Sequence, residues 1–267
     1  MTRAEAARLA VVALEVASSA GQIAAQGFRK PKSIVHKGDI DLVTDFDTRT
    51  EEHIRERVAS LTPGLSIVAE EQGGEPRGDL VWYADPIDGT TNYAHGHPFW
   101  CVSIGLLLQG RPVAGAVVAP SLGLSWSASE AGPALRNGEP CRVSAAPTLN
   151  DALLATGFPY DRRTTLQNNF DAFVAVKLVA QGIRRCGSAA LDLCLVADGT
   201  YDGYWERKLK PWDLAAGATA VLCAGGTLSG FDGGPADVRT GNVVATNGAI
   251  HAELLEVLHR VEQARSG

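Results

Sequence analysis

The middle of the chain constrains the fold most. Residues 99–120, "FWCVSIGLLLQGRPVAGAVVAP", read as two strands joined by a turn at Gln109-Gly110-Arg111-Pro112, and "LGLSWSASEAGPALRNGEPCRV" extends the pattern with a hairpin turn at Asn137-Gly138. This is an antiparallel sheet. From about Val143 the order becomes an alternation: strand at Leu153 to Thr156, helix from Thr165 to Gln181, "GIRRCGS", helix from Ala189 to Ala197, strand in "YDGYWERKL", helix from about Trp212 to Ala224, the strand "NVVATN", and a helix from His251 to about Arg265. No repeat, low-complexity run or linker separates the two patterns. The reading is one α/β unit of 267 residues, a single domain with sub-lobes at about 1–142 and 143–267.

Ahead of the sheet, Thr2 caps a helix with Glu5 three residues on, apolar positions recur to about Ala25, and Gly27 ends it. Glu15 interrupts its apolar run, and Leu9 to Leu14 is shorter than a signal-peptide core and far below the ~20 residues of a membrane span. An amphipathic helix is expected, with no membrane partner. A second helix spans about Asp45 to Ser60, followed by the strand "LSIVAEE". Acidic residues exceed basic ones, 30 against 24, with no long Lys/Arg cluster, which argues against a nucleic-acid partner. The five cysteines have no CxxC spacing and an odd count, which fits a reducing cytoplasm.

"WYADPIDGTTN" places Asp85 at the end of a short apolar strand, Pro86 and Gly89 around a rigid turn, and Asp88 between them. Three other acidic signals join it: Glu70 and Glu71 end the strand in "IVAEEQGG", Asp45 and Asp47 open a helix in "LVTDFD", and Asp213 opens another in "KPWDLAAG". Taken singly, each reads as a helix cap or a solvated turn. If Glu70, Asp85, Asp88 and Asp213 converge, they repel: two like charges ~4 Å apart do so by about 4 kcal/mol at an effective dielectric near 20. Such a set protonates or binds cations, and all-oxygen donors favour Mg²⁺ over zinc. Magnesium shares its shell with phosphate oxygens, so the set points to phosphate chemistry. Backbone N–H groups of Gly89 and Thr90, opening a short helix through Asn92, would form an anion pocket, and Glu70 with Thr90 would orient a metal-activated water.

These motifs, with "PFWCVSIGL" after the turn, "AEE" before it and "GSAALDLCLVADGTYDGYWE" and "KPWDLAAG" downstream, resemble the inositol monophosphatase family of Mg²⁺-dependent, lithium-sensitive phosphatases over nearly the whole chain. The resemblance implies a layered αβαβα sandwich, usually dimeric, with two to three Mg²⁺ ions per site. It implies that Glu70, Asp85 and the Ile87 carbonyl hold one metal and that Asp85, Asp88 and Asp213 hold another. Asp47 then supports the metal-bound water network, with Lys37 in the segment before it, and Gly89 and Thr90 hold phosphate. Glu206 in "YWE" receives sugar hydroxyls and Ala189 in "GSAA" lines the same pocket, while Asp88 and Asp213 also face substrate.

Thr91 follows the "DGT" triplet where the nucleotide-phosphatase branch typically has lysine, and "EAGPALRNG" departs from the aromatic or Gly-rich version usual before that turn. The expected substrate is a small phosphorylated polyol, myo-inositol monophosphate first. Histidinol phosphate and fructose 1,6-bisphosphate are the alternatives on this scaffold, and a non-catalytic phospho-ligand binder is the rival of another class. His95 and His97 read as loop groups outside the site. Cys186 and Cys194 read as packing residues, and Arg184 and Arg185, near a strand, as plain salt-bridge partners first, with substrate contact or dimer contact as the alternatives.

Overall fold

The structure, a computed structural model, describes residues 1–30, 33–36 and 42–266; Lys37 lies outside them. Thr2 opens α1 (Arg3–Gly27) by accepting a hydrogen bond from the Glu5 N–H at 3.2 Å. After β1 (Ile34–His36) and β2 (Leu42–Thr44), α2 (Asp45–Leu61) begins at a capping box built by Thr44 and Asp47. Then come β3 (Ser66–Ala69), β4 (Leu80–Asp88), the short α3 (Thr90–Ala94), β5 (Cys101–Leu108), β6 (Arg111–Ala119), β7 (Leu124–Ser129), β8 (Leu135–Arg136) and β9 (Glu139–Pro140). The remainder runs β10 (Leu153–Thr156), α4 (Phe170–Lys177), β11 (Gly182–Arg184), α5 (Ala189–Ala197), β12 (Gly203–Glu206), α6 (Pro211–Cys223), β13 (Thr227–Ser229), β14 (Val243–Thr246) and α7 (His251–Ser266).

Two sheets result. β3 to β9 form one in sequence order, antiparallel except where β3 runs parallel to β4. The other has the order β11-β10-β12-β14-β13. Burial explains the stacking. Successive side chains of a strand point to opposite faces, so Trp82 and Ala84 of β4 pack with Leu9, Ala13 and Val16 of α1, while Val81 and Tyr83 pack with α5 and α6. Ala155, Tyr204 and Ala245 of the smaller sheet close the same α5/α6 layer from the other side, and Leu154, Trp205 and Val244 face α4 and α7. The layers are therefore α1/α2, sheet, α5/α6, sheet, α4/α7, the sandwich expected from the resemblance. α1 is long and apolar enough by composition to cross a membrane, and 50% of that apolar window is buried inside this fold.

Three elements differ from the sequence reading. β4 does not end at Asp85 but continues through Pro86 to Asp88, with its register against β5 shifted between the two aspartates. Proline has no N–H for the ladder, and the irregularity is where a strand tolerates it. α4 starts at Phe170 rather than Thr165, because Asn169 holds a left-handed backbone (φ 71°) and a buried side chain that donates to the Thr156 hydroxyl at 2.8 Å and the Gly157 carbonyl at 2.7 Å. β12 stops at Glu206, and two residues on Lys208 has φ 61°.

At the start of α7, half-buried His251 is clamped between Thr246 and Ser229 at 3.0 and 2.9 Å. The Ser229 hydroxyl donates to the Gly230 carbonyl at 2.7 Å, so it accepts from Nε2–H and leaves Nδ1 to accept from Thr246. The imidazole is held neutral, and burial lowers its pKa below the ordinary 6.5. Unfolded chain takes up this proton first, so the contribution is complete above pH 6.5 and is lost as pH falls. Thermal unfolding of the native protein and of His251→Gln should therefore show the native margin over the variant shrinking between pH 7 and pH 5; a constant margin would remove His251 from the pH response.

Candidate active site

The irregularity in β4 sets the site. Asp85 pairs with Ser103 and Asp88 with Cys101; these partners are two residues apart on β5 and share a face, so both aspartates point toward the α5/α6 layer. In a regular strand, residues three apart would face opposite ways. α6 then brings Asp213 to the same place. It can do so because glycines lie beneath it: a Cβ on Gly105 would come within 2.4 Å of the Ala215 Cβ, and one on Gly115 within 2.8 Å of the Ala216 Cα. The Ser103 hydroxyl donates to the Trp212 carbonyl at 3.2 Å across this contact, and the Asp213 carboxylate accepts the Lys210 N–H at 2.7 Å.

Each aspartate is fixed from its own side. Asp85 accepts the Ile87 N–H at 2.9 Å. Asp88 Oδ2 accepts the Ser188 hydroxyl at 2.6 Å and the Ala190 N–H at 2.7 Å, where α5 begins. Asp47 is fully buried; its Oδ2 accepts from the Thr44 N–H and its Oδ1 from the Thr90 hydroxyl at 3.1 Å, and that hydroxyl also lies 3.0 Å from the Ile87 carbonyl. Gly89, at φ 94°, precedes α3, and a Cβ there would lie 3.1 Å from the carbonyls of Phe99 and Gly187, so the turn needs glycine. Glu70 follows β3, with its N–H donating to the Ala84 carbonyl at 3.2 Å.

Glu70, Asp85, Ile87, Asp88, Thr90 and Asp213 line one wall of a cavity of about 270 Å³. Gly89, Ser188, Ala189 and Glu206 also line it, with Gly157 beside Glu206, and Arg185, Lys208 and Lys210 bring basic residues to the same lining. Asp47 touches this cavity only through Thr90. Gly157 is required by the fit, since a Cβ there would lie 2.0 Å from Glu206 Oε2. Tyr204 donates its hydroxyl to that same carboxylate.

Charge crowding dominates the electrostatics. Burial, reinforced by Glu70, Asp88 and Asp213, holds the Asp85 carboxyl well above its usual range. Burial, with Asp88 and Glu70, does the same to Asp213, and burial raises Asp88 against the bonds from Ser188 and Ala190. Burial pushes Asp47 up to about 6 and Glu206 to about 7, the latter opposed by the Tyr204 bond and the Arg185 charge. Among the described residues, no three His, Cys, Asp or Glu side chains already stand at metal-holding spacing.

Several cavity residues escape the sequence reading, Lys208 and Lys210 among them. Arg185, read first as a salt-bridge partner with substrate contact as an alternative, lines the cavity, where its charge acts on Glu206 and Asp192. Asp192 itself was not singled out, although its place three residues after Ala189 on one helix puts both on one face. His95 and His97 lie outside the cavity lining. Cys194 is buried, as a packing residue should be, and Cys186 is partly buried with its Sγ 3.6 Å from the Tyr201 hydroxyl.

Known proteins resemble this chain in sequence and fold. The chain is 44% identical over 255 residues to the inositol-1-monophosphatase of Synechocystis sp., covering 94% of this chain and 89% of that one. It is 37% identical over 252 residues to the fructose-1,6-bisphosphatase/inositol-1-monophosphatase of Aquifex aeolicus, covering 92% and 93%. The solved inositol monophosphatase of Anabaena (Nostoc) superposes with a TM-score of 0.87 at 40% identity, over 95% of this chain and 96% of that one. The sequence model of the inositol monophosphatase family matches residues 5–263. With layers, motifs and relatives in agreement along almost its full length, the chain belongs to the inositol monophosphatase family.

Proposed function

We propose that the protein is a metal-dependent phosphomonoesterase that hydrolyses myo-inositol monophosphate to inositol and phosphate. One observation carries this reading: a cavity with a buried carboxylate cluster on one wall has the hydroxyl-accepting carboxylate of Glu206 on another. The donor chemistry fits a hard cation. Asp85, Asp88 and Asp213 are buried and mutually repelling, a state that two to three Mg²⁺ ions would relieve, with Glu70 and the Ile87 carbonyl completing an all-oxygen set. When bound, such ions lower the pKa of water and neutralise phosphate charge.

The chain's own groups do the rest. The Thr90 hydroxyl, donating to Asp47, keeps a lone pair for an incoming water, and Glu70 is placed to orient that water from the end of β3. Asp47, with its carboxyl near pH 6, is an acceptor for the proton that Thr90 relays. Gly89 and Thr90 line the cavity beside the carboxylates, and their backbone N–H groups would suit phosphate oxygens. Glu206 accepts polyol hydroxyls, and Ala189 leaves room for the ring. A second reading, a sugar bisphosphate as substrate, is favoured by Arg185 and Lys210 in the cavity lining, whose cationic groups suit a second phosphate.

The same reading includes a cytoplasmic homodimer. Phe170, Val174 and Leu178 recur every four residues on α4 and its end at 46%, 57% and 81% exposure, an apolar row that a second copy would cover, and all five cysteines are free thiols. Sedimentation equilibrium should give twice the 28.1 kDa chain mass, and Val174→Asp with Leu178→Asp should halve it. A monomeric native protein would end this assignment.

Phosphate release from inositol, fructose, histidinol and adenosine phosphates, after chelation and after Mg²⁺ is restored, tests the activity. No turnover in chelator, recovery with Mg²⁺ and preference for inositol monophosphate are expected; full turnover in chelator would refute the metal role. Repulsion gives a further outcome. A carboxyl whose folded pKa is raised stabilises the fold below its unfolded pKa, and that contribution is lost as pH rises through the folded value. Metal-free Asp213→Asn should therefore melt above metal-free native protein at pH 8, by about 2 to 4 °C per kcal/mol of relieved repulsion, and the gap should close toward pH 4. Turnover with Mg²⁺ should nonetheless fall by orders of magnitude in this variant.

A further inference from the structure

Asp192 lies in the first turn of α5, three residues beyond Ala189 and on the same face, and both line the cavity. The residue is 2% exposed, and its Oδ1 is buried without a hydrogen-bond partner among the described residues. An acidic residue in the first turn is ordinarily explained by the helix dipole, but such residues gain from the dipole while remaining solvated. A carboxyl oxygen buried without a donor carries a desolvation penalty, so it calls for a partner.

Its surroundings indicate what that partner is. Burial and the charges of Glu206 and Asp88 push the Asp192 carboxyl well above its usual range, while Arg185 at the rim pulls the other way. Glu206 sits on β12 and Asp192 on α5, so the cavity offers two neighbouring carboxyls from different elements. A second anion there would be repelled by both. A hydroxyl both donates and accepts, so it can satisfy a carboxyl in either protonation state. Two adjacent carboxyls therefore match two neighbouring hydroxyls on one ring.

We propose that Asp192 is a specificity-determining residue whose carboxyl, balanced by Arg185, hydrogen-bonds a hydroxyl of the polyol leaving group next to the one held by Glu206. This rests on the polyol reading above and extends it from one recognition carboxylate to two. Thr156 supports the geometry: it ends β10 on the cavity wall, and its hydroxyl donates to the Trp205 carbonyl at 2.5 Å, tying β10 to the residue before Glu206. The alternative, a carboxyl retained for packing alone, predicts no dependence on what the substrate carries.

The test compares kcat/KM for inositol monophosphate and for p-nitrophenyl phosphate, which has no ring hydroxyl, in the Mg²⁺-loaded native protein and in Asp192→Ala and Asp192→Asn. The ratio of the two should fall about tenfold in Asp192→Ala, the size of one lost hydrogen bond, mainly through KM for the polyol. Asp192→Asn keeps a donor and an acceptor and should retain most of the ratio. An unchanged ratio in Asp192→Ala, or an equal loss on both substrates, would overturn the assignment. Native protein provides a second measurement that needs no variant to fold: singly deoxygenated inositol monophosphates should reveal two sensitive hydroxyl positions, and one alone would leave Glu206 as the whole recognition site and refute the role of Asp192. Native protein that turns over p-nitrophenyl phosphate but no inositol monophosphate would refute the polyol reading itself, and Asp192 with it. A failure confined to the variants or to the deoxy series would leave the polyol reading standing.

Discussion

Asp88 joins the two halves of the molecule. Its backbone belongs to β4 of the larger sheet, and its Oδ2 is held by the Ser188 hydroxyl and the Ala190 N–H at the start of α5, which packs toward the smaller sheet. A charged acceptor at a helix N-terminus is a favourable contact, shorter and stronger than a neutral one. Here it also sets the distance between the carboxylate wall and the wall that carries Ala189, Asp192 and Glu206. Without that register the cavity would not have two chemically different sides.

The same carboxylates make the site an unstable part of a well-packed fold. Tryptophans and aliphatic residues on both faces of the larger sheet are fully buried and hold the layers together, whereas Asp85, Asp88 and Asp213 are buried beside one another with raised pKa values. The surrounding packing over-determines their positions. Gly105 and Gly115 seat α6 against the sheet, so Asp213 cannot move away from Asp85 without lifting Ala215 and Ala216 of that helix from their contact with the two glycines. Strain of this kind is relieved by cations, which couples ligand binding to local stability.

The wall opposite is organised by hydrogen bonds rather than charge. Asn169 gives up a helical conformation to bond Thr156 and Gly157, and its Oδ1 accepts the Trp205 Nε1–H at 3.0 Å. Those bonds fix the ends of β10 and β12 side by side. Gly157 then leaves the space that Glu206 occupies, and Tyr204 orients its carboxylate. A loop asparagine is in this way responsible for the placement of Glu206, far from it in sequence.

Much of this was legible in the sequence, and the part that was not has a common cause. Local patterns determined the antiparallel meander, the Asn137-Gly138 hairpin, the helices opened by Thr2 and Thr44, and the acidic clusters, because caps, turns and strand alternation depend on residues within a few positions of one another. The motif order disclosed the family. Only the tertiary structure decided that β4 runs past Pro86 with its register shifted so that Asp85 and Asp88 share a face, that Asn169 cuts α4 short, and that Arg185 and Asp192 line the cavity. Each of these depends on a partner brought close by another element, such as Ser103 for Asp85, Thr156 for Asn169 and Glu206 for Asp192. A sequence records which side chains are available to the site; burial, strand register and helix seating settle which of them meet.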